Sequence, residues 1–184
     1  MTKATVVNVV ATADLGQKVD LGEMGKIEYA LHSDSVYGGR VAYLKTPETK
    51  GKVCIFKSGK MISVGTKSRE DALNDLTHAM EILVDAGLVE PVPIHMRIRN
   101  VVAVANFEKL IDLYEVASKF EKAIYEPEQF PGAICKPVES PDITILLFAS
   151  GKAVITGLKE PNRLDSIVHK ISHYLNDETP QVLY

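Results

Sequence analysis

The feature that most constrains the fold of this 184-residue chain is an internal duplication. Asn8-Val9-Val10-Ala11-Thr12-Ala13 returns as Asn100-Val101-Val102-Ala103-Val104-Ala105, 92 positions on. Phe56-Lys57-Ser58-Gly59-Lys60 returns as Phe148-Ala149-Ser150-Gly151-Lys152 at the same spacing of 92. Gly65-Thr66-Lys67 and Gly157-Leu158-Lys159 keep that offset, and Tyr37-Gly38-Gly39 and Phe130-Pro131-Gly132 stand one position further apart. A period this long exceeds a solenoid unit and suits two half-domains built to one plan. The junction is the Pro-bearing run Val89-Glu90-Pro91-Val92-Pro93. A first repeat over residues 1–90 and a second over 91–184 are therefore expected, intertwined as one structural domain.

Within each repeat the local patterns agree. Residues 5–13 alternate β-branched side chains and predict a strand. A short helix follows, weak in the first repeat where Gly22 and Gly25 interrupt it, and stronger over residues 110–122 in the second. Further strands are predicted at 40–44 and 133–136, then at 52–56 and 60–64 around a hairpin turn at Ser58-Gly59, which Ser150-Gly151 repeats. A longer helix closes each repeat. Its first copy has Ser68 as N-cap, a stripe of Leu73, Leu76, Met80, Leu83 and Val84, and Gly87 as its stop. The second stripe is Leu164, Ile167, Val168, Ile171 and Leu175.

Composition narrows the function classes. At 46% hydrophobic and 24% charged residues the chain reads as a folded soluble domain, not a disordered one. No apolar run approaches the length of a membrane span, and the N-terminus carries no signal-peptide core. Two cysteines, Cys54 and Cys135, argue against a disulfide scaffold or a Cys-rich zinc site, so a reducing cytoplasmic setting is expected. With 21 basic and 24 acidic residues the net charge is -3, without the basic excess that usually marks nucleic-acid binders. Residues 1–92 hold 11 basic and 12 acidic groups and residues 93–184 hold 10 and 12, so neither half is a charged tail.

The strands are apolar on both faces. In Lys52–Phe56 one face carries Cys54 and Phe56 and the other Val53 and Ile55; Ile62 and Val64 oppose Met61 and Ser63 on the next strand. The second repeat sets Leu146 and Phe148 against Ile145 and Leu147, and Val154 and Thr156 against Ala153 and Ile155. An antiparallel sheet usually keeps one face polar. Two longer and two short helices cover one side only, so the other is a broad apolar surface, the mark of an interaction site. The pattern equally leaves open a two-layer sandwich or an intertwined dimer that buries both faces.

Enzymatic motifs are weak. Met61 and Ala153 follow the two Ser-Gly-Lys runs, which lack the P-loop spacing and read as hairpin turns. His169 and His173 are four apart on a helix with no third metal ligand evident. Glu126 and Glu128 lie in a Pro-containing loop with no nucleophile or histidine near in sequence. Cys54, with nothing basic expected beside it on its own face, reads as a small apolar residue. No enzyme, metal or cofactor is expected.

The Asn-Val-Val-Ala runs, Tyr125-Glu126-Pro127-Glu128-Gln129-Phe130-Pro131-Gly132, and Phe148-Ala149-Ser150-Gly151-Lys152 followed by Thr156-Gly157-Leu158-Lys159 resemble the TATA-box-binding protein family. The resemblance covers about residues 6–175, and the acidic pI and lack of a long N-terminal extension are similar to its archaeal branch. It implies an α+β fold: a pseudo-twofold saddle of two direct repeats, one curved ten-stranded antiparallel sheet with four helices on the convex face. It implies a general transcription initiation factor that binds the minor groove of TATA-box promoter DNA, bends it, and recruits transcription factor B and, indirectly, RNA polymerase. The expected setting is the cytoplasm, associated with the nucleoid, with no nucleus and no membrane partner.

Residue by residue, Phe130, Phe148 and Phe56 match wedging phenylalanines, and Tyr37 stands where the fourth is found. Asn8 and Asn100 match central asparagines that donate to base acceptors; Val10, Val102, Leu146 and Val154 match the van der Waals floor, and Thr156 a central hydroxyl. Ile62 joins that surface, while Cys54 and Val64 replace an expected leucine and threonine, and Tyr43 replaces a frequent arginine. Lys60, Lys136 and Lys152 match phosphate-contacting positions, with Lys67 and Lys159 weaker candidates. Glu126, Glu128 and Gln129 match the loop offered to transcription factor B. The departures in the first repeat imply an uneven saddle. The rival reading is a protein–protein module or specialised paralogue whose concave face binds a protein partner or, without DNA, a second copy of the chain.

Overall fold

The computed structural model describes residues 2–33 and 37–176, Tyr37 by its backbone alone. They fall into two compact units, one of residues 8–99 and one of residues 2–7 with 100–176. Each unit is built on antiparallel strands whose register is set by alternation of covered and open side chains.

The first repeat contributes β1 (Ala4–Asp14), β2 (Ala30–His32), β3 (Val41–Leu44), β4 (Lys52–Phe56) and β5 (Lys60–Thr66), hydrogen-bonded in the order β2-β3-β4-β5-β1. The second contributes β6 (Arg97–Asn106), β7 (Ala123–Ile124), β8 (Gly132–Cys135), β9 (Thr144–Phe148) and β10 (Lys152–Leu158), in the matching order β6-β10-β9-β8-β7. The expected hairpin turns are present: Gly59 N–H donates to the Phe56 carbonyl and Gly151 N–H to the Phe148 carbonyl, both at 2.9 Å. The chain leaving β1 then crosses its own hairpin, with Leu15 N–H donating to the Gly59 carbonyl, and Phe107 N–H donates to the Gly151 carbonyl in the same way. The duplication therefore extends to loop hydrogen bonds.

Helix α1 (Arg69–Asp85) starts where the sequence places it. The Ser68 hydroxyl accepts from Asp71 N–H at 3.0 Å and donates to the Asp71 carboxylate at 2.7 Å, satisfying an otherwise unpaired end of the helix. Its buried stripe is Ala72, Leu76, Ala79, Met80 and Leu83, packed on β4 and β5, so the expected Leu73 and Val84 flank the contact half-buried. Two alanines let α1 approach the sheet closely. Asp75, 2% exposed, accepts from Lys50 N–H at 2.9 Å and Gly51 N–H at 2.7 Å and so ties the loop before β4 to the helix.

The two short helices differ from expectation, and the closing helix of the second repeat spans its expected stripe. The Gly-interrupted segment is a 3-10 helix, Leu21–Lys26, capped by Asp20. The helix expected over 110–122 is α2 (Leu113–Lys119), because the Asp112 carboxylate accepts from Tyr114 and Glu115 N–H and fixes the start there. Residues before that cap are held differently: Ile111 N–H donates to the Ala149 carbonyl at 3.0 Å. Helix α3 (Leu164–Asn176) buries Leu164, Ile167, Val168 and Ile171, with Leu175 half-buried.

The helices cover one face of each set of strands. Val53, Ile55, Met61 and Ser63 in the first repeat, and Ile145, Leu147, Ala153 and Ile155 in the second, are all 2% exposed or less. No helix among the described residues is long and apolar enough to cross a membrane.

Candidate nucleic-acid interface

The opposite face of each repeat is open. Every expected contact residue whose side chain is described lies on it half-buried: Asn8, Val10, Cys54, Phe56, Ile62 and Val64 in the first repeat, and Asn100, Val102, Phe130, Leu146, Phe148, Val154 and Thr156 in the second. The side chain of Tyr37 lies outside the described residues. Strand register lines these side chains into cross-strand rows. One runs Leu31, Tyr43, Cys54, Ile62, Thr12, and its counterpart runs Ile124, Ile134, Leu146, Val154, Val104. At the row ends Leu31 is 63% exposed and Ile124 58%, exposures a soluble surface does not leave on large aliphatic side chains in a row without use for them. The end members of these rows escape a reading of the sequence, because β2 and β7 are only three and two residues long and carry no alternation to detect.

At the centre of each face an asparagine is locked in place. Asn100 Oδ1 accepts from Gly157 N–H at 2.7 Å, and Asn8 Oδ1 accepts from Gly65 N–H at 2.8 Å. Gly157 and Gly65 have φ of 91° and 90°, where a side chain is strained, and a Cβ on Gly157 would lie 2.0 Å from the Asp142 carbonyl oxygen. Both sit at shifts in strand pairing that release a backbone N–H from the ladder. With its oxygen engaged, each amide is left with NH2 as its free-facing donor. In the second repeat that NH2 donates to Thr156 Oγ1 at 3.2 Å; the first repeat has Val64 at the corresponding place, so its amide lacks that hydroxyl. The glycines were visible in the sequence only as repeat markers, since their use depends on a pairing shift.

Phe130 and Phe148 form a tilted pair with centroids 5.8 Å apart and planes at 59°. They stand over Gly132, the ladder partner of Phe148, where an added Cβ would come 2.9 Å from the Phe130 ring and 3.1 Å from the Phe148 ring. In the first repeat the ladder partner of Phe56 is Val41. Counting two residues back from each partner aligns Phe130 with Gly39. Tyr37 stands two residues further upstream, in the 3-10 turn Tyr37–Gly39. By strand register the first repeat has glycine at the place of Phe130.

Lys60, Lys136 and Lys152 are all exposed. Glu126, Glu128 and Gln129 project from a tight loop in which Gln129 and Phe130 N–H both donate to the Glu126 carbonyl at 2.9 Å. Cys54 needs a correction. Lys52, two residues earlier on β4, shares its face and lies with Nζ 4.5 Å from the Tyr43 ring centroid. Partial burial still raises the Cys54 thiol pKa, with the Lys52 ammonium pulling the other way, and burial pushes Cys135 up to about 12. Neither thiol is set up as a nucleophile. His169 and His173 are exposed on α3, and no group of three or more metal-ligating side chains occurs among the described residues.

Comparison with known proteins decides what this arrangement is. The sequence profile described as "Transcription factor TFIID (or TATA-binding protein, TBP)" matches residues 3–86 and 95–177, once for each repeat. The chain belongs to the TATA-binding protein family. It is 40% identical over 163 residues to the TATA-box-binding protein of Cenarchaeum symbiosum, covering 89% of this chain and 88% of that one. It is 38% identical over 175 residues to that of Aeropyrum pernix, covering 92% and 83%. The solved structure of Methanococcus jannaschii TBP superposes with a TM-score of 0.82 at 32% identity, covering 94% of this chain and 98% of the other. The two-repeat α+β fold with ten antiparallel strands is accordingly that of the family. The family is one of DNA-binding transcription factors, not of enzymes.

Proposed function

We propose that this chain is a general transcription initiation factor that binds TATA-box DNA through the minor groove, bends it, and presents its second-repeat loop to transcription factor B, and through it to RNA polymerase. The observation that carries this reading is the open face of each repeat: a row of half-buried aliphatic side chains with one oriented amide donor at its centre. The minor-groove floor of A·T pairs offers acceptors and a smooth wall, whereas a guanine N2 amine would protrude into such a surface. Aliphatic rows fit the wall, and the amides of Asn8 and Asn100 supply donors to base acceptors. Lys60, Lys136 and Lys152 reach the backbone phosphates.

Phe130 and Phe148 are the wedge. TATA-binding proteins are themselves the standard instance of a duplex kinked by inserted side chains, so the unstacking cost of about a few kcal/mol per step is a property of that family and not a figure worked out for this chain. Phe56 wedges in the first repeat, with Tyr37 standing where its partner is expected. Glu126, Glu128 and Gln129 offer an acidic, hydrogen-bonding loop to transcription factor B.

End-to-end fluorescence energy transfer on a short TATA-containing duplex, titrated at fixed salt beside a G·C-substituted control, tests this. Transfer should rise on the TATA duplex alone. No rise at saturation with folded protein would refute it, and self-association through the open faces that the duplex fails to disrupt would favour a protein-binding module instead.

A further inference from the structure

A cleft of about 640 Å³ in the first unit lies beside its open face and is lined by Lys60, Arg97, Arg99 and His95 together with Thr12 and Phe56. Among the described residues only one carboxylate, that of Asp14, faces it. Arg97, Arg99 and Lys60 are exposed, and among the described residues none of the three is in an ion pair. Arg99 is nonetheless held: its Nε donates to Thr12 Oγ1 at 2.8 Å, which fixes the guanidinium and leaves its terminal nitrogens for another acceptor. A planar fork held in this way matches the bidentate geometry of a phosphate.

Phe56 and Ile62 line both this cleft and the neighbouring apolar hollow of Tyr43, Cys54 and Val64. A ligand laid on the apolar face therefore runs directly into the cations. Apolar floor followed by fixed guanidinium is the order in which a minor groove presents base edges and then phosphodiester.

The duplication supplies the contrast. At an offset of 92, Arg97 corresponds to Thr5, Arg99 to Val7 and Thr12 to Val104, so the unit of residues 2–7 and 100–176 has two 38%-exposed valines where the unit of residues 8–99 has its Arg–Thr pair. Arg97 and Arg99 also share the parity of the covered Val101 and Ala103, so strict alternation sends them toward the helices, and the structure places them in the cleft.

We propose that Arg97 and Arg99, from the start of the second repeat, form with Lys60 of the first a phosphodiester-binding site peculiar to the unit of residues 8–99. The proposal rests on the reading of the chain as a DNA binder and adds an unevenness: the unit of residues 8–99 gains a fixed guanidinium site for the backbone, and the other unit carries the phenylalanine pair that deforms the base stack.

The test is fluorescence anisotropy on labelled TATA and G·C duplexes between about 50 and 200 mM salt, with the wild-type chain, the Arg97→Gln/Arg99→Gln double variant, Arg99→Lys, and Lys170→Gln on α3 as control. Each phosphate contact adds about 0.9 to the slope of log affinity against log salt, so the double variant should lose about 1.8 on either duplex. Arg99→Lys should keep the wild-type slope while binding more weakly than wild type. Lys170→Gln should change nothing. A TATA preference with an unchanged slope in the double variant overturns the cleft proposal alone. Equal binding to both duplexes with the slope reduced overturns the TATA reading and supports the cleft. Binding to neither overturns both. A role confined to holding Thr12 would alter the thermal midpoint and leave the slope where it was.

Discussion

Asn100→Asp separates what the central amide does for the fold from what it does for a ligand. The substituted carboxylate keeps an oxygen where Oδ1 accepts from Gly157 N–H at 2.7 Å, and charge strengthens that bond. The Thr156 hydroxyl, which now accepts from Nδ2 at 3.2 Å, can turn and donate to the carboxylate instead. Every local partner is retained, so the folding free energy should change by less than about 1 kcal/mol. The open side changes completely. A donor becomes an acceptor facing the acceptors of an A·T floor, which removes one hydrogen bond and leaves opposed acceptors without water. That costs about 2–3 kcal/mol, or roughly 30- to 150-fold in affinity for a TATA duplex. Thermal denaturation and fluorescence anisotropy on the same preparation read the two quantities. Asn100→Ala is the necessary companion: it orphans the Gly157 N–H, so it should lower stability by about 1–3 kcal/mol as well as affinity. Wild-type affinity in Asn100→Asp with the fold intact would refute the reasoning, since the amide would then be a purely structural clamp for the pairing shift at Gly157.

Gly132→Val, which copies Val41 of the first repeat, forces apart the Phe130 and Phe148 rings and sets a Cβ 3.0 Å from the Leu147 carbonyl oxygen; the rings can swing toward solvent but the carbonyl cannot, so stability should fall by about 1–3 kcal/mol and the transfer signal from a bent duplex should fall as well. On the same assay Phe130→Ala should reduce bending more than Tyr37→Ala, and equal losses would argue against the unevenness that strand register implies. Asp75→Ala strips the part-buried Lys50 N–H and the buried Gly51 N–H of their shared acceptor, and urea denaturation should show a loss of about 2–4 kcal/mol. Burial raises the Cys135 thiol from 9.0 to about 12, so its contribution to stability is complete below pH 9 and is lost as pH rises from there toward 12. Urea midpoints should thus fall more steeply over that range for the wild-type chain than for Cys135→Ala, and Cys135 should resist alkylation at pH 8 in the native state.

Much of the architecture is legible from local patterns because strands and capped helices announce themselves within a few residues. The alternation in β4, β5, β9 and β10 separates covered from open side chains, and the described structure keeps that division. Ser68 starts α1 as its spacing to Asp71 requires. Elsewhere a local competitor prevails: Asp112 caps α2 later than helix propensity alone suggests, because Ile111 is already engaged by the hairpin. The two shortest strands, β2 and β7, have too few residues to carry a period and exist only because a neighbour offers an unpaired edge.

The candidate site divides along the same line. By itself the sequence determined that the chain is two copies of one plan, that each copy has more apolar surface than its helices can cover, and which side chains share that surface, since these follow from spacing and residue type. Tertiary structure alone decided how the surface works. Gly157 and Gly65 become donors to the asparagines only because a neighbouring strand shifts register beside them. Gly39 falls at the position that Phe130 holds in the second repeat only when the ladders are counted from Phe56 and Phe148. Arg99 meets Thr12 across 87 residues of chain. Hydrogen bonds and ring contacts of this kind join atoms distant in sequence, and which of them form is determined by strand register, a property of pairs of strands.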